Sequence, residues 1–387
     1  TALQMNELQT DSIELEVKCG DPGILKFRRN APLQYIRDGA LRGTYYIQKI
    51  KRIGVADNGS GIYTISADSA MGLLMRQLHP GGVYTGQTVK EVVGSICGNI
   101  PVLVKTSLAK MKLYNWLPYC KPPGSSARDN LSQLLFVIGA SVTTDINGVL
   151  RVEPFWNGVC SVVGERRLYL DGNAESDSPV SSVAVTEHQY TAGTEEKELF
   201  SGLAQQGDII TFSEPMHSLT ATGFSILESG ANYAKLSAGT GTLKGRAYIH
   251  NTRIVTQTVT PGAAENVKSF ADATLVSLVN SVAVAKRLAE FFKCRETVTN
   301  GIVSGNEKPG HVVNIYHPYD KKMVSACIQS LDTTVSGTLK SEMTALVGYA
   351  PPQPDTSEYY DTRIVLTGAG EWTAPGNVSG SMTVVVI

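Results

Sequence analysis

The chain has 387 residues, 42% of them hydrophobic and 18% charged, with 34 Lys and Arg against 35 Asp and Glu for a net charge of −1. That length carries about two to four folded domains with cores of their own. The charge balance excludes a global pull towards nucleic acid or an anionic membrane, and no stretch approaches the roughly 18–20 apolar residues of a membrane span.

Residues 12–66 read as strands. SIELEV, GILKFRR and TYYIQKIKRIGV alternate or cluster β-formers, and ADNGSGIYTISA places a hairpin turn at Asp57–Gly61. SADSAMGLLMRQL then predicts a short helix with Ala70, Leu73, Leu74 and Gln77 on one face. Next comes HPGGVYTGQTVKEVVGSICGNI (79–100), a proline–glycine corner, an extended stretch and a second helix. Val89, Val92, Val93 and Ile96 keep helical spacing, and Thr88 with Glu91 predicts a capping box. LYNWLPYCKPPG (113–124), with three prolines and several aromatics, reads as a loop. SSARDNLSQLLFVIGA predicts a third helix with Leu131, Leu134, Leu135 and Ile138 on its apolar stripe, and ASVTTDINGVLRVEPF a hairpin around Asn147-Gly148. The polar run DGNAESDSPVS (171–181) marks a boundary.

The second half opens with the strand-like VSSVAVTEHQYTAG, KELFSG and DIITF, and residues 216–260 are rich in Thr, Ser and Gly with β patterning. ENVKSFADATLVSLVNSVAVAKRLAEFFKC (265–294) predicts the longest helix, with a break near Val279-Asn280. RETVTNGIVSG, GHVVNIYHPY and the pair KMVSACIQSLDTTVSG / TLKSEMTALVGY read as antiparallel strands. APPQPDTSE (350–358) is a linker, and the last segment ends on an apolar strand without a closing turn, so the chain is expected to continue beyond Ile387. The class is α+β, mostly β, with an antiparallel barrel or sandwich towards each end and α/β material inserted between them.

Chemistry-bearing motifs are sparse. The six cysteines, at 19, 97, 120, 160, 294 and 327, form no Cys-x-x-Cys and read as thiols in a reducing compartment. HPGGVYTG lacks the Lys-Ser/Thr of a phosphate loop, and GTGTLKG (239–245) has the wrong spacing and a strand after it, so both read as architecture. The histidines at 79, 188, 217, 250, 311 and 317 are scattered, and His311 and His317 on a regular strand would lie roughly 20 Å apart. Gly-x-Ser-x-Gly is absent, and Ser60 belongs to a turn. Cys120 lacks the context of a peptidase nucleophile, Asp320 in HPYDKK sits in a turn, and Glu195-Glu196-Lys197-Glu198 reads as a solvated edge. Lys49 and Lys51 share a strand face that Arg52 opposes, which denies a continuous basic groove. Trp116 and Tyr114 read as an aromatic plug at a domain junction. No catalytic, cofactor-binding or metal-binding residue is assigned, and the chain is read as a non-enzyme.

Several segments together carry a resemblance. YYIQKIKRIG…IYTISADSAMGLL, GGVYTGQTVKEVVGSI, LYNWLPYCKPPGSSARDNLSQLLFVIGASVTTDINGVLRV and the closing GHVVNIYHPYDKKMVSACIQSLDTTVSGTLKSEMTALVGY resemble the tail hub proteins of bacteriophages and prophages. These are the baseplate hubs of contractile tails and the N-terminal hub region of tail-associated lysins, or prophage tail endopeptidases, in flexible tails. The resemblance implies two related antiparallel β-barrel domains per chain and a homotrimeric ring around a central channel. It assigns 1–66 to the first barrel and 67–180 to a mixed helical lobe. It assigns 181–350 to the second barrel, with an insertion over about 216–294, and 351–387 to a linker and the start of a glycine-rich β module. Within the second domain the barrel itself would come from about 181–215 and 295–350.

The implied function is symmetry adaptation between a six-fold tail tube and a three-fold spike or fibre. The implied partners are the tail tube or distal tail protein, the tape measure protein and the central spike or fibre, with DNA only in passage. The implied location is the virion tail, assembled in the bacterial cytoplasm and used in host cell entry, with no cofactor. The alternatives are a carbohydrate- or receptor-binding tail-tip protein, with Trp116, Trp156 or Trp372 on a platform, and a peptidoglycan hydrolase of the tail tip.

Overall fold

Alternating β-formers at the N-terminus build a four-stranded antiparallel sheet in the order Ser12–Cys19, Gly61–Asp68, Ala40–Val55, Pro32–Arg37. The computed structural model describes residues 10–20, 28–37, 39–120, 126–154, 161–169, 171–303, 305, 307–336 and 338–348. All belong to the unit Thr1–Pro351; the second unit, Pro352–Ile387, lies outside them, as does the expected glycine-rich module. The turn at 56–60 joins the two central strands as expected, with Asn58 Oδ1 accepting from Ser60 N at 3.1 Å. Leu15 pairs with Ile65, and Ile65 with Ile50, so one face is apolar; Glu14, Ser66 and Lys49 run across the other.

A helical centre follows. Its helices are α1 (Ala70–Leu74), α2 (Val89–Cys97), α3 (Thr106–Ala109), α4 (Ala127–Ile138) and, from the second half of the chain, α5 (Ser281–Lys293). In α2 the Thr88–Glu91 capping box forms as predicted, and Val89, Val92, Val93 and Ile96 are buried. In α4, Leu131, Leu134, Leu135 and Ile138 enter the same core, while the Asp129 carboxylate accepts from Ser126 N and its hydroxyl. Val284, Ala285 and Leu288 of α5 join them. Each fully buried leucine contributes about 1.5–3 kcal/mol relative to exposure. The hairpin around Asn147-Gly148 pairs Ala140–Thr144 with Leu150–Pro154, and Val102–Val104 adds parallel to the latter.

Three further sheets carry the second half, the smallest in the order Ile209–Thr211, Tyr233–Leu236, Ile226–Gly230. A long ribbon pairs Ser182–Ala204 with Gly239–Thr258, flanked by Met216–Thr222 and by Val267–Phe270. A six-stranded sheet runs in the order Ser161–Val163, Val312–Tyr316, Met323–Ser336, Thr338–Val347, Glu296–Val303, Asn173–Ser176. The class α+β, mostly β, therefore holds. Among the described residues, however, both the N-terminal and the six-stranded sheet are open, where closed barrels were expected.

Strand membership also differs from the sequence reading. The strands that join the 296–347 group are Ser161–Val163 and Asn173–Ser176; Ser182–Ala204 pairs with Gly239–Thr258 instead. Part of the supposed loop at 113–124 is a strand, Lys112–Leu117, antiparallel to Gly82–Thr88. The predicted helix over 265–294 begins only at Ser281, and Val267–Phe270 is a strand. The physical reason is tertiary. Val276 O accepts from His188 N and from Asn115 Nδ2, and Asn280 Oδ1 accepts from Ser277 N, so local backbone groups are bonded in ways a helix would forbid.

Candidate functional site

The glycine corner before α2 is a packed joint. His79 and Cys120 form an isolated antiparallel bridge, with Cys120 N donating to His79 O at 2.9 Å. Gly81 has φ +67, and a Cβ there would lie 2.5 Å from Leu117 O, so only glycine allows the two backbones to approach this closely. The His79 ring is fully buried; its Nδ1 faces Asn130 Nδ2 at 2.9 Å and accepts from Gly81 N, while Nε2 faces Ser95 Oγ at 3.4 Å. Burial lowers its pKa to about 4, so the ring is neutral glue. At the start of α2 the Glu91 carboxylate accepts from Thr88 N and Oγ1, both at 2.8 Å. These bonds, the backbone one first, lower its pKa. A phosphate at this helix terminus would meet that negative charge and a hydroxyl already engaged. GTGTLKG lies within the strand Gly239–Thr258, where Gly241 passes the carbonyl of Thr222 too closely for any Cβ.

A second polar knot ties the centre to the ribbon. His188 Nε2 donates to Ala271 O and its Nδ1 meets His250 Nε2, each at 2.9 Å. The His188, His250 and Tyr190 rings stack nearly parallel, and Trp116 meets Tyr190 edge-on. Burial is the main cause lowering the His188 pKa. Asn115, held at φ +71, donates to both His188 O and Val276 O. Trp116 Nε1 donates to Asn232 Oδ1 at 2.6 Å. Trp116, on a strand and not in a loop, thus ties Lys112–Leu117 to Asn232 and to Tyr190 of the ribbon; Trp156 and Trp372 lie outside the described residues.

Several other charged groups serve as ties. Arg167 forks onto the Glu307 carboxylate at 2.9 Å, and Gly305 N donates to the same group. Although burial opposes it, these bonds lower the Glu307 pKa to about 2. Glu187 Oε2 accepts from Arg253 and from Ser281 Oγ, both at 2.8 Å, which fixes the start of α5 to the ribbon. Asp171 pairs with Lys340, and Asp320 with Lys322 in a turn. His311 and His317 sit at opposite ends of Val312–Tyr316, and His317 Nε2 faces Glu296 at 3.2 Å. Among the described residues no group of three or more His, Cys, Asp or Glu is placed to hold a metal. The five described cysteines are thiols, and burial raises the pKa of Cys97 and Cys327 to about 12. Cys120 is buried beside the carbonyl of Pro118. No described helix is long and apolar enough to cross a membrane.

What the surface does offer is the N-terminal sheet. Tyr63, Ile65 and Ala67 are buried, but Ile13, Leu15, Val17 and Ile50 on the same face are only half-buried. On the opposite face Glu14 and Glu16 of one strand and Lys49 and Lys51 of another are exposed. Arg52 pairs with Tyr63, on the apolar side. The His188–His250–Tyr190 stack and the Arg167–Glu307 fork were not found from sequence. Their members lie 62 and 140 residues apart, and no local spacing signals such a meeting.

No protein-family model and no curated protein matches the chain. Among solved structures it is similar to a tail protein from Neisseria meningitidis MC58, with TM-score 0.54 and 12% identity over 87% of this chain and 88% of that one. It is likewise similar to the 43 kDa tail protein of prophage MuSo2 from Shewanella oneidensis, with TM-score 0.54 and 10% identity over 88% of this chain and 90% of that one. The chain shares its fold with these tail proteins, as the resemblance in its segments implied.

Proposed function

We propose that the chain is a structural component of a phage or prophage tail, acting as a trimeric hub that adapts a six-fold tube to a three-fold spike or fibre. The observation that carries this reading is a fold shared with two tail proteins over 87% or more of this chain and of each of theirs. Two β units, the N-terminal sheet and the six-stranded sheet, would present near-equivalent faces, so that three copies offer six docking positions. The half-buried face of Ile13, Leu15, Val17 and Ile50 would be covered by a neighbour in the ring. Rings of this kind are heterologous assemblies that close by rotation. A non-enzymatic role is supported by the site chemistry: the Cys97 and Cys327 thiols are buried and pushed up to about 12, and the rings of His79, His188 and His250 are engaged in packed hydrogen-bond networks. The tail tube or distal tail protein, the tape measure protein and the central spike are the proposed partners, within the virion tail.

Light scattering of the purified full chain, alone and mixed with its tube partner, tests the proposal. A trimer or a ring is expected. A chain that stays monomeric with the partner present overturns it, and lysis in a peptidoglycan zymogram overturns the non-enzymatic part.

A further inference from the structure

Two exposed charge pairs of opposite sign stand on the two open sheets. In the six-stranded sheet, Met323–Ser336 and Thr338–Val347 form a hairpin with an apolar inner face. Ile328 pairs there with Ala345 and Leu331 with Met343, in or against one core. Asp332 and Glu342, the next pair of the ladder, therefore point outwards, and both are exposed. Like charges set directly opposite on an antiparallel ladder, about 5 Å apart, repel each other. Lys340, two residues from Glu342, is held by Asp171 at 2.7 Å, and no ion pair among the described residues reaches Asp332 or Glu342. The hairpin is also an arm. Val312–Tyr316 pairs with it over 323–327, and Glu296–Val303 backs it as far as Lys340, so its ladder runs on past both to Ser336 and Thr338.

The basic pair belongs to the N-terminal sheet. Lys49 and Lys51 stand opposite Ser66 and Thr64 on its polar face, and both are exposed. Thr44 and Tyr46 share that face but are covered. Thr44 Oγ1 donates to Ile146 O at 2.8 Å, and Tyr46 packs against the helical centre. Glu14 and Glu16 lie on the same face two strands away, about 10 Å from the lysines and too far to neutralise them.

We propose that, in the trimeric ring, the arm of one copy docks on the polar face of the next copy's N-terminal sheet, with Asp332 and Glu342 against Lys49 and Lys51. This rests on the ring reading and names surfaces that close it. A heterologous contact needs two different patches on one chain, and these two are complementary in sign and belong to different sheets. A net charge of −1 supplies no field of the whole molecule to align the copies, so register comes from local pairs such as these. Docking also brings lysines to a carboxylate pair that is uncompensated in the single chain. The apolar face of Ile13, Leu15 and Val17 lies on the other side of the sheet, so the two contacts do not compete.

Carbodiimide, which condenses a lysine amine with a touching carboxylate and releases water, reads the contact. With heavy-isotope-labelled and unlabelled full chains mixed, the expected product is an isotopically mixed peptide joining Lys49 or Lys51 to Asp332 or Glu342. In light scattering, K49E/K51E and D332K/E342K should each shift the mass from trimer to monomer, and the chain with all four reversals should return to the trimer. Circular dichroism of each variant separates these results from misfolding. Three outcomes overturn the inference while the ring reading stands: a trimer that either reversal leaves unchanged, a folded chain with all four reversals that stays monomeric, or links from the acidic pair to other lysines or within one chain alone. An unsubstituted chain that is monomeric even with its tube partner overturns both.

Discussion

In the helical centre, Leu131, Leu134 and Leu135 of α4 meet Val93 and Ile96 of α2 and Leu288 of α5, all wholly withdrawn from water. In the N-terminal sheet, Ile13, Leu15, Val17 and Ile50 line a face of comparable apolarity yet stay half-buried. The residue types are alike, and the difference lies in what stands opposite. Helices from both halves of the chain close the centre, whereas in the sheet the buried apolar side chains among the described residues are Tyr63, Ile65 and Ala67. Stability is thereby concentrated in one region, and apolar area remains partly exposed in the other.

The largest expected effect belongs to the centre. Leu134→Ala should cost about 3 kcal/mol in urea unfolding, because the site is ringed by other helices and collapses poorly. A loss below about 1 kcal/mol would mean the centre is as loosely packed as the sheet.

Acid should act on the centre next. The folded pKa of His79 is lowered to about 4 from 6.5, so the unfolded chain binds more protons between these values. Stability from this group is full above pH 6.5 and is lost as pH falls towards 4, by about 3 kcal/mol, of which about 2 kcal/mol falls between pH 7 and 5. Unfolding curves at pH 7 and 5 check this, and H79Q should flatten the difference while lowering stability at both.

Thr88→Ala removes the hydroxyl that accepts from Glu91 N, and should cost about 1 kcal/mol by the same measurement. Leu15→Asp should cost the dissociated chain less than Leu134→Ala, because the Leu15 side chain is already partly exposed. Its effect on assembly should be the reverse, shifting the mass in light scattering from trimer to monomer. A folding loss there as large as at Leu134 would break the comparison.

Signals that lie within a few residues were legible in the sequence. Asn58-Gly59 and Asn147-Gly148 turned their hairpins, Thr88 and Glu91 capped α2, and the leucine spacing of α4 marked its buried stripe. Signals that depend on a distant partner were not. The stretch before Ser281 has helical spacing, but Val276 O is bonded to His188 and Asn115, so the chain turns there. LYNWL read as loop because of the prolines after it, yet its edges fit Gly82–Thr88 once Asn115 adopts a positive φ. Ser161–Val163 and Asn173–Ser176 are too short for their periodicity to say which sheet they extend. Of the candidate surface, the alternation of SIELEV showed that one face is apolar, and only the pairing showed how little of it is covered.

The ribbon of Ser182–Ala204 and Gly239–Thr258 has a mechanical consequence. One end supplies Val183 and Val185 to the helical centre, and the other supplies Ala204 and Leu243 to the small core around Phe224 and Leu236. Bulges fall between Ala192 and Glu196 and again between Glu198 and Phe200, between those two anchorages. Both anchorages grip the strand Ser182–Ala204, so pulling the two cores apart along it is borne by the covalent backbone, and the ladder to Gly239–Thr258 stiffens that strand against bending. The bulged middle, with its extra twist, is where such a strut would yield first by bending.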